Sequence, residues 1–153
     1  MNIKMENNFL IISGISGAGK SQVLNILEDF GFICVDNMPL EFVFDFIDLC
    51  RKDRKKYKKI ALSIDIRSGK NINKISEILA KLKKDKIRNQ VFFINADDST
   101  ILKRYSETRR KHPLGLLVKD GIAEERKMMQ AVKKVADQEI DTTNMTIGEL
   151  KNT

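Results

Sequence analysis

Short apolar runs alternate along this chain with longer stretches whose apolar residues return every three or four positions. Phe9-Leu10-Ile11-Ile12-Ser13 is a run of the first kind and reads as a buried strand. Over 20–30, Val23, Ile26, Leu27 and Phe30 share one face of a helix. Gly31 ends that helix and opens a second strand, 31–36. Pro39 presets its own φ and disfavours helix at Met38, which makes 37–40 a turn. Residues 40–50 form a helix faced by Phe42, Phe46 and Leu49 and widened by Val43, Ile47 and Cys50. Ile60 to Ile66 is a central strand, broken at Ser68-Gly69. An amphipathic helix follows over 73–84 on Ile75, Ile78, Leu79 and Leu82, then a fourth strand from Val91 to Asn95. Asp98 or Ser99 caps a helix through Leu102, Arg104 and Tyr105. The pattern fails from Thr108 to Lys119, around His112-Pro113-Leu114-Gly115. It resumes as a helix over 121–135, a short strand Glu139-Ile140-Asp141 and the start of a helix over 143–150.

This alternation predicts an α/β fold, a mostly parallel five-stranded sheet with helices on both faces. The 153 residues, 42 % hydrophobic and 32 % charged, suit one globular domain. No apolar run approaches the roughly 18 residues of a membrane span, and the start of the chain lacks a signal-peptide core. Cys34 and Cys50 are the only cysteines, and His112 is the one histidine. Such a chain offers no zinc site and no Cys–His dyad, and its cysteine usage suits a reducing cytoplasmic setting. The formal charge of +7 is concentrated in two runs, Arg51 to Lys59 and Lys81 to Arg88, at the ends of predicted helices. Two readings stay open for them: solvated helix ends that favour the dipole, or a patch for a phosphate backbone such as RNA.

Gly14-Ile15-Ser16-Gly17-Ala18-Gly19-Lys20-Ser21 stands between the first strand and the first helix. G-x-x-x-x-G-K-S in that setting is a phosphate loop. The glycines let the backbone curl until successive N–H groups face phosphate oxygens at the positive end of the helix. Lys20 would reach the β- and γ-phosphates and the Ser21 hydroxyl would ligate Mg²⁺. Asp65 ends an apolar run where a Walker B acid would support the metal, and Asp36 ends the neighbouring strand at the edge where ligands bind. Asp36 could serve Mg²⁺ or an acceptor substrate. Arg104, Arg109 and Arg110 fall where kinases of this class mount arginines against a transferring phosphoryl group. His112, with no second ligand or nucleophile near it in sequence, reads as structural.

Three further strings are more specific. Val35-Asp36-Asn37-Met38-Pro39-Leu40 resembles the V-D-N-[LM]-P segment of the RapZ/YvcJ family of P-loop nucleotide-binding proteins. Glu107-Thr108-Arg109-Arg110-Lys111-His112-Pro113-Leu114 is similar to its E-T-R-R-x-H-P-L block, and Asp65-Ile66-Arg67 to its D-x-R strand end. With the phosphate loop before them and Ile140-Asp141-Thr142 after, the resemblance runs along essentially the whole chain. It implies a kinase-like P-loop fold that binds and slowly hydrolyses ATP or GTP with Mg²⁺, using 14–21 as Walker A loop and Asp65 as Walker B acid. Some members act as adapters that present a small regulatory RNA to a ribonuclease. The family's second, C-terminal domain, linked to RNA and metabolite binding, is expected beyond Thr153, so 1–153 reads as the nucleotide-binding domain alone.

Three functions follow as expectations. The first is a regulatory nucleotide hydrolase using Lys20, Ser21, Asp65, Asp36 and Arg109 or Arg110. The second is a small-molecule kinase, with Asp36 or Asp65 deprotonating an acceptor hydroxyl. The third is an RNA-binding module that keeps nucleotide as a structural ligand. The sequence leaves ATP and GTP equally open, with Asp141 and Thr142 near the expected base contacts, and leaves the oligomeric state open.

Overall fold

The computed structural model describes residues 9–68 and 74–151. Five strands, β1 (Phe9–Gly14), β2 (Ile33–Val35), β3 (Ile60–Ser63), β4 (Asn89–Asn95) and β5 (Gln138–Asp141), form one sheet in the spatial order β2-β3-β1-β4-β5, every neighbouring pair parallel. Among the described residues seven α-helices connect and flank them: α1 (Lys20–Asp29), α2 (Val43–Lys52), α3 (Ile75–Lys84), α4 (Asp98–Thr108), α5 (Val118–Met128), α6 (Gln130–Val135) and α7 (Ile147–Lys151). The chain steps from β1 outward to β2, then back through β3 to β4. Right-handed crossovers therefore place α1 on one face and α2 and α3 on the other. Helix α1 touches α7, and α2 touches α3, in keeping with two covered faces.

Every residue of β1 is buried, as is every residue of β3 and most of β4. Continuous apolar runs are what two-sided burial demands of central parallel strands. Edge strand β2 is shorter than the 31–36 expected, because a strand paired on one side lacks half the ladder. Gly31 ends α1 as predicted, at φ +88°. The N–H of Phe32 bonds to Leu27 O at 3.0 Å and that of Gly31 to Glu28 O at 3.0 Å, a Schellman closure.

Several sequence expectations are corrected. In α2 the buried stripe is Val43, Ile47 and Cys50, whereas Phe42 and Leu49 are exposed. The three buried side chains are spaced i, i+4, i+7, one stripe of the helix, and Phe46 meets Phe9 with ring centroids 6.4 Å apart. Phe30 likewise points out, and Leu24 takes its place in the core. Asp97, rather than Asp98 or Ser99, caps α4: its carboxylate accepts from Thr100 N at 2.8 Å while its own backbone is extended. The helix expected over 121–135 is two, α5 and α6, meeting at Met129. The Gly69 half of the Ser68-Gly69 break lies outside the described residues, and Ile66–Ser68 forms a single 3₁₀ turn.

Candidate functional site

Strand β1 ends at Gly14, whose φ of +139° and absent side chain are both required, since a Cβ there would lie 2.0 Å from Ile94 O. The close pass lets Ile15 N bond to Ile94 O at 3.1 Å and drops Ile15 into the core. Gly17 and Gly19 also have positive φ, and Gly19 sits left-handed at the head of α1. The first N–H groups of α1 have no partners within the helix, the arrangement an anion needs. A cavity of about 610 Å³ opens over this loop, lined by 16–22, Arg67, Arg104, Arg110, Thr142 and neighbours.

Lys20 is only 6 % exposed, and its Nζ donates to Gly14 O at 3.1 Å and lies 3.8 Å from Asp65 Oδ2. Burial pulls its pKa below the usual lysine value, against the charges of Asp65 and Glu125. Because β1 and β3 are adjacent, Asp65, two residues past the end of β3, is brought beside the loop. Its carboxylate is 1 % exposed and fully engaged. Arg67 donates to it from the backbone N at 2.8 Å, from Nε at 3.0 and 3.1 Å, and from Nη2 at 2.8 Å. Burial alone would raise the carboxyl pKa, but these bonds and the Lys20 charge win and hold it below the usual range. The same Nη2 reaches Asp36 Oδ1 at 3.0 Å, so Asp36 meets the site through Arg67.

Arg104 and Thr142 brace the outer wall. Arg104 Nη1 donates to Gly17 O at 3.0 Å, and its Nη2 to Thr142 O at 2.9 Å. The Thr142 hydroxyl donates to Ala18 O. Arg104 thus lines the cavity with its guanidinium held by Gly17 O of the loop and by Thr142 O. Of the other two arginines singled out in sequence, Arg110 lines the cavity, whereas Arg109 takes the left-handed position that ends α4, at φ +53°. Ser21 is exposed at the first turn of α1.

Two participants were missed in sequence. Arg67 appeared only as part of a motif. Glu125, 0 % exposed on α5, accepts from Ser16 N at 2.6 and 3.2 Å and therefore holds the loop from behind. Its signal was available: Ile122, Glu125 and Met129 share the buried face, and a carboxylate on an apolar stripe requires partners. His112 is 3 % exposed and packs on Tyr105 and Gly121.

The two basic runs converge. Lys59 and Arg88 immediately precede β3 and β4, and the C-termini of α2 and α3 lie just before them. Both runs therefore sit at the amino edge of the sheet, opposite the loop. Arg51, Lys52, 54–56, Lys58, Lys59, Lys83, Lys84, Lys86 and Arg88 are exposed there, while Lys81 is paired to Asp48 and Asp85. Among the described residues no helix is long and apolar enough to cross a membrane, and no three His, Cys, Asp or Glu side chains gather as a metal cluster.

Comparison with known proteins agrees with this fold. A gluconokinase from Sinorhizobium meliloti 1021 superposes with a TM-score of 0.60 at 15 % identity, over 98 % of this chain and 90 % of that one. A shikimate kinase from Acinetobacter baumannii, in complex with shikimate, gives 0.59 at 15 % over 94 % and 88 %. At such identity the likeness is one of fold, the P-loop kinase fold. A protein of Endomicrobium trichonymphae named nucleotide-binding protein is 56 % identical over 141 residues, 92 % of this chain and 49 % of that one. Another of that name from Acetivibrio thermocellus is 47 % identical over 145 residues, 93 % and 50 %. The chain thus spans about half the length of the curated relatives it matches. With residues 7–153 matching its sequence pattern, the chain belongs to the RapZ-like N-terminal domain family.

Proposed function

We propose that this chain binds a nucleoside triphosphate, ATP or GTP, with Mg²⁺ over the 14–21 loop and hydrolyses it slowly as a regulatory nucleotide-binding domain. The observation that carries this reading is the buried Lys20–Asp65 pair at the floor of a glycine-built cavity at the head of α1. Phosphates would be cradled by the backbone N–H groups of Gly17 and of Gly19 to Ser21, and Lys20 would leave Gly14 O for a phosphate oxygen. Arg110 would face the terminal phosphate from the far wall; Arg109, set aside at the helix end, would support it. The donors fit Mg²⁺: the Ser21 hydroxyl and the Asp65 carboxylate are hard oxygen ligands, with phosphate and water completing the shell. Because Arg67 occupies both Asp65 oxygens, that carboxylate would act on the metal's water shell. The chemistry a bound Mg²⁺ would supply there is neutralisation of phosphate charge. Turnover is slow in this reading because the buried acid is fully engaged by Arg67. The test is phosphate release from ATP and GTP with Mg²⁺, for wild type and Lys20→Ala. Acceptor-independent release that the substitution abolishes supports the proposal, and a wild type that binds neither nucleotide overturns it.

A second reading is favoured by the exposed Asp36–Arg67 pair at the carboxyl edge, where a kinase would seat its acceptor. It requires turnover that stalls in water and accelerates many-fold with a polyol acceptor. The converging basic runs favour an RNA partner at the amino edge in either case, and the family's link to ribonuclease control is proposed on the same footing. Both cysteines are free thiols, which suits a cytoplasmic setting.

A further inference from the structure

From Ser106 to Leu117 the chain is exposed but for two residues, half-buried Leu114 and His112, the one fully buried side chain of the segment. This is the stretch that carries Arg110, Lys111 and Pro113 to the cavity wall. Its anchor therefore decides where those cations stand. Leu114 N donates to His112 Nδ1 at 3.1 Å, so in the neutral ring the proton sits on Nε2. That nitrogen has no hydrogen-bond partner and points at Glu125 Oε2, 3.6 Å away. Glu125 in turn holds Ser16 N of the phosphate loop. A second route closes the circuit: His112 stacks on Tyr105, ring centroids 5.8 Å apart, and Tyr105 lies against Gly17, where a Cβ would come within 3.0 Å of its ring.

We propose that Glu125 and His112 couple the Arg110-bearing segment to the phosphate loop, making His112 a positioning residue that acts through Arg110. The inference rests on the nucleotide-binding reading of the cavity and deepens it. A carboxylate bonded to a loop N–H and faced by the segment's anchor at 3.6 Å ties a shift of either one to the other. Loss of the anchor then weakens contact with the terminal phosphate, which Arg110 faces, more than contact with the phosphates cradled by the loop.

The test is a double-mutant cycle of His112→Asn and Arg110→Gln, read by calorimetry with Mg²⁺ and a nucleoside tri- or diphosphate. Asparagine preserves the short-range acceptor for Leu114 N but cannot reach Glu125. His112→Asn is expected to weaken the triphosphate about tenfold and the diphosphate less than twofold, and to add less than twofold in the Arg110→Gln background. Equal losses for both nucleotides, or losses that add across the cycle, overturn the proposal. Amide exchange on the nucleotide-free protein supplies an independent reading. Ser16 N–H is expected to exchange at least fivefold faster in His112→Asn and to recover in His112→Gln, whose longer amide reaches Glu125. Unchanged Ser16 exchange overturns the coupling itself. A wild type that binds no nucleotide while Ser16 responds refutes the nucleotide-binding reading and leaves the coupling standing.

Discussion

Arg67 grips Asp65 through Nε and Nη2 with distances of 2.8 to 3.1 Å, and the same guanidinium reaches Asp36 at 3.0 Å. One cation thus links the ends of β2 and β3 and satisfies an almost fully buried carboxylate. A fork geometry of this kind cannot be supplied by lysine, which presents a point charge.

Arg67→Lys should therefore leave Asp65 partly unsatisfied. The expected loss is about 2–4 kcal/mol at neutral pH, measured by urea unfolding. The deficit should shrink in Asp65→Asn, where no buried charge awaits a partner. Equal deficits in both backgrounds would show that Arg67 stabilises the fold by another route.

Gly14→Ala should be severe. A Cβ 2.0 Å from Ile94 O, at a φ of +139°, forces β1 and β4 apart at their carboxyl ends. Strain and overpacking together cost about 2–5 kcal/mol. For a domain of this size that is a drop of roughly 5–20 °C in Tm, visible by calorimetry.

Gly121→Ala sets two effects against each other. Alanine favours helix by about 1 kcal/mol, but its Cβ would meet the His112 ring at 2.5 Å. The ring lies on a buried stack with Tyr105, so it cannot move freely. The expected outcome is a net loss of stability and increased proteolysis within 109–117. A gain in Tm would show that His112 is loosely held.

Lys86 closes α3 in the left-handed conformation at φ +55°, with Ile87 N on Leu82 O at 2.9 Å and Lys86 N on Lys83 O at 3.1 Å. It performs the role that Gly31 performs for α1, at a steric cost glycine avoids. Lys86→Gly should raise stability by about 0.5–1 kcal/mol, or roughly 1–4 °C in Tm.

His112 titrates below its ordinary value of 6.5, because burial disfavours the imidazolium more than Glu125 favours it. The unfolded chain then takes up the proton first as pH falls. Stability should be flat above about pH 6.5 and fall between there and the lowered folded value. The decline should be smaller in His112→Asn, compared by unfolding at pH 7.5 and 5.5. An identical decline in both would assign the acid sensitivity to other groups.

The alternation of apolar runs and helical stripes, together with Gly14 to Ser21, determined the α/β class, the five strands and the loop's place between β1 and α1. These are local matters, decided by backbone sterics and by the period at which side chains return to a face. Which flank of α2 is buried was not local: both flanks are apolar in sequence, and the helix's docking on the sheet buries Val43, Ile47 and Cys50 and leaves Phe42 and Leu49 exposed. Nor was the site. Asp65 stands beside Lys20 only because the crossover inserts β3 next to β1. Glu125 meets Ser16 across 109 residues of chain, and His112 reaches Glu125 only once α5 folds over the loop. Burial then turns these charged and polar groups into obligate partners, since a carboxylate removed from water must find a donor. That pairing depends on the assembled core, and no stretch of sequence contains it.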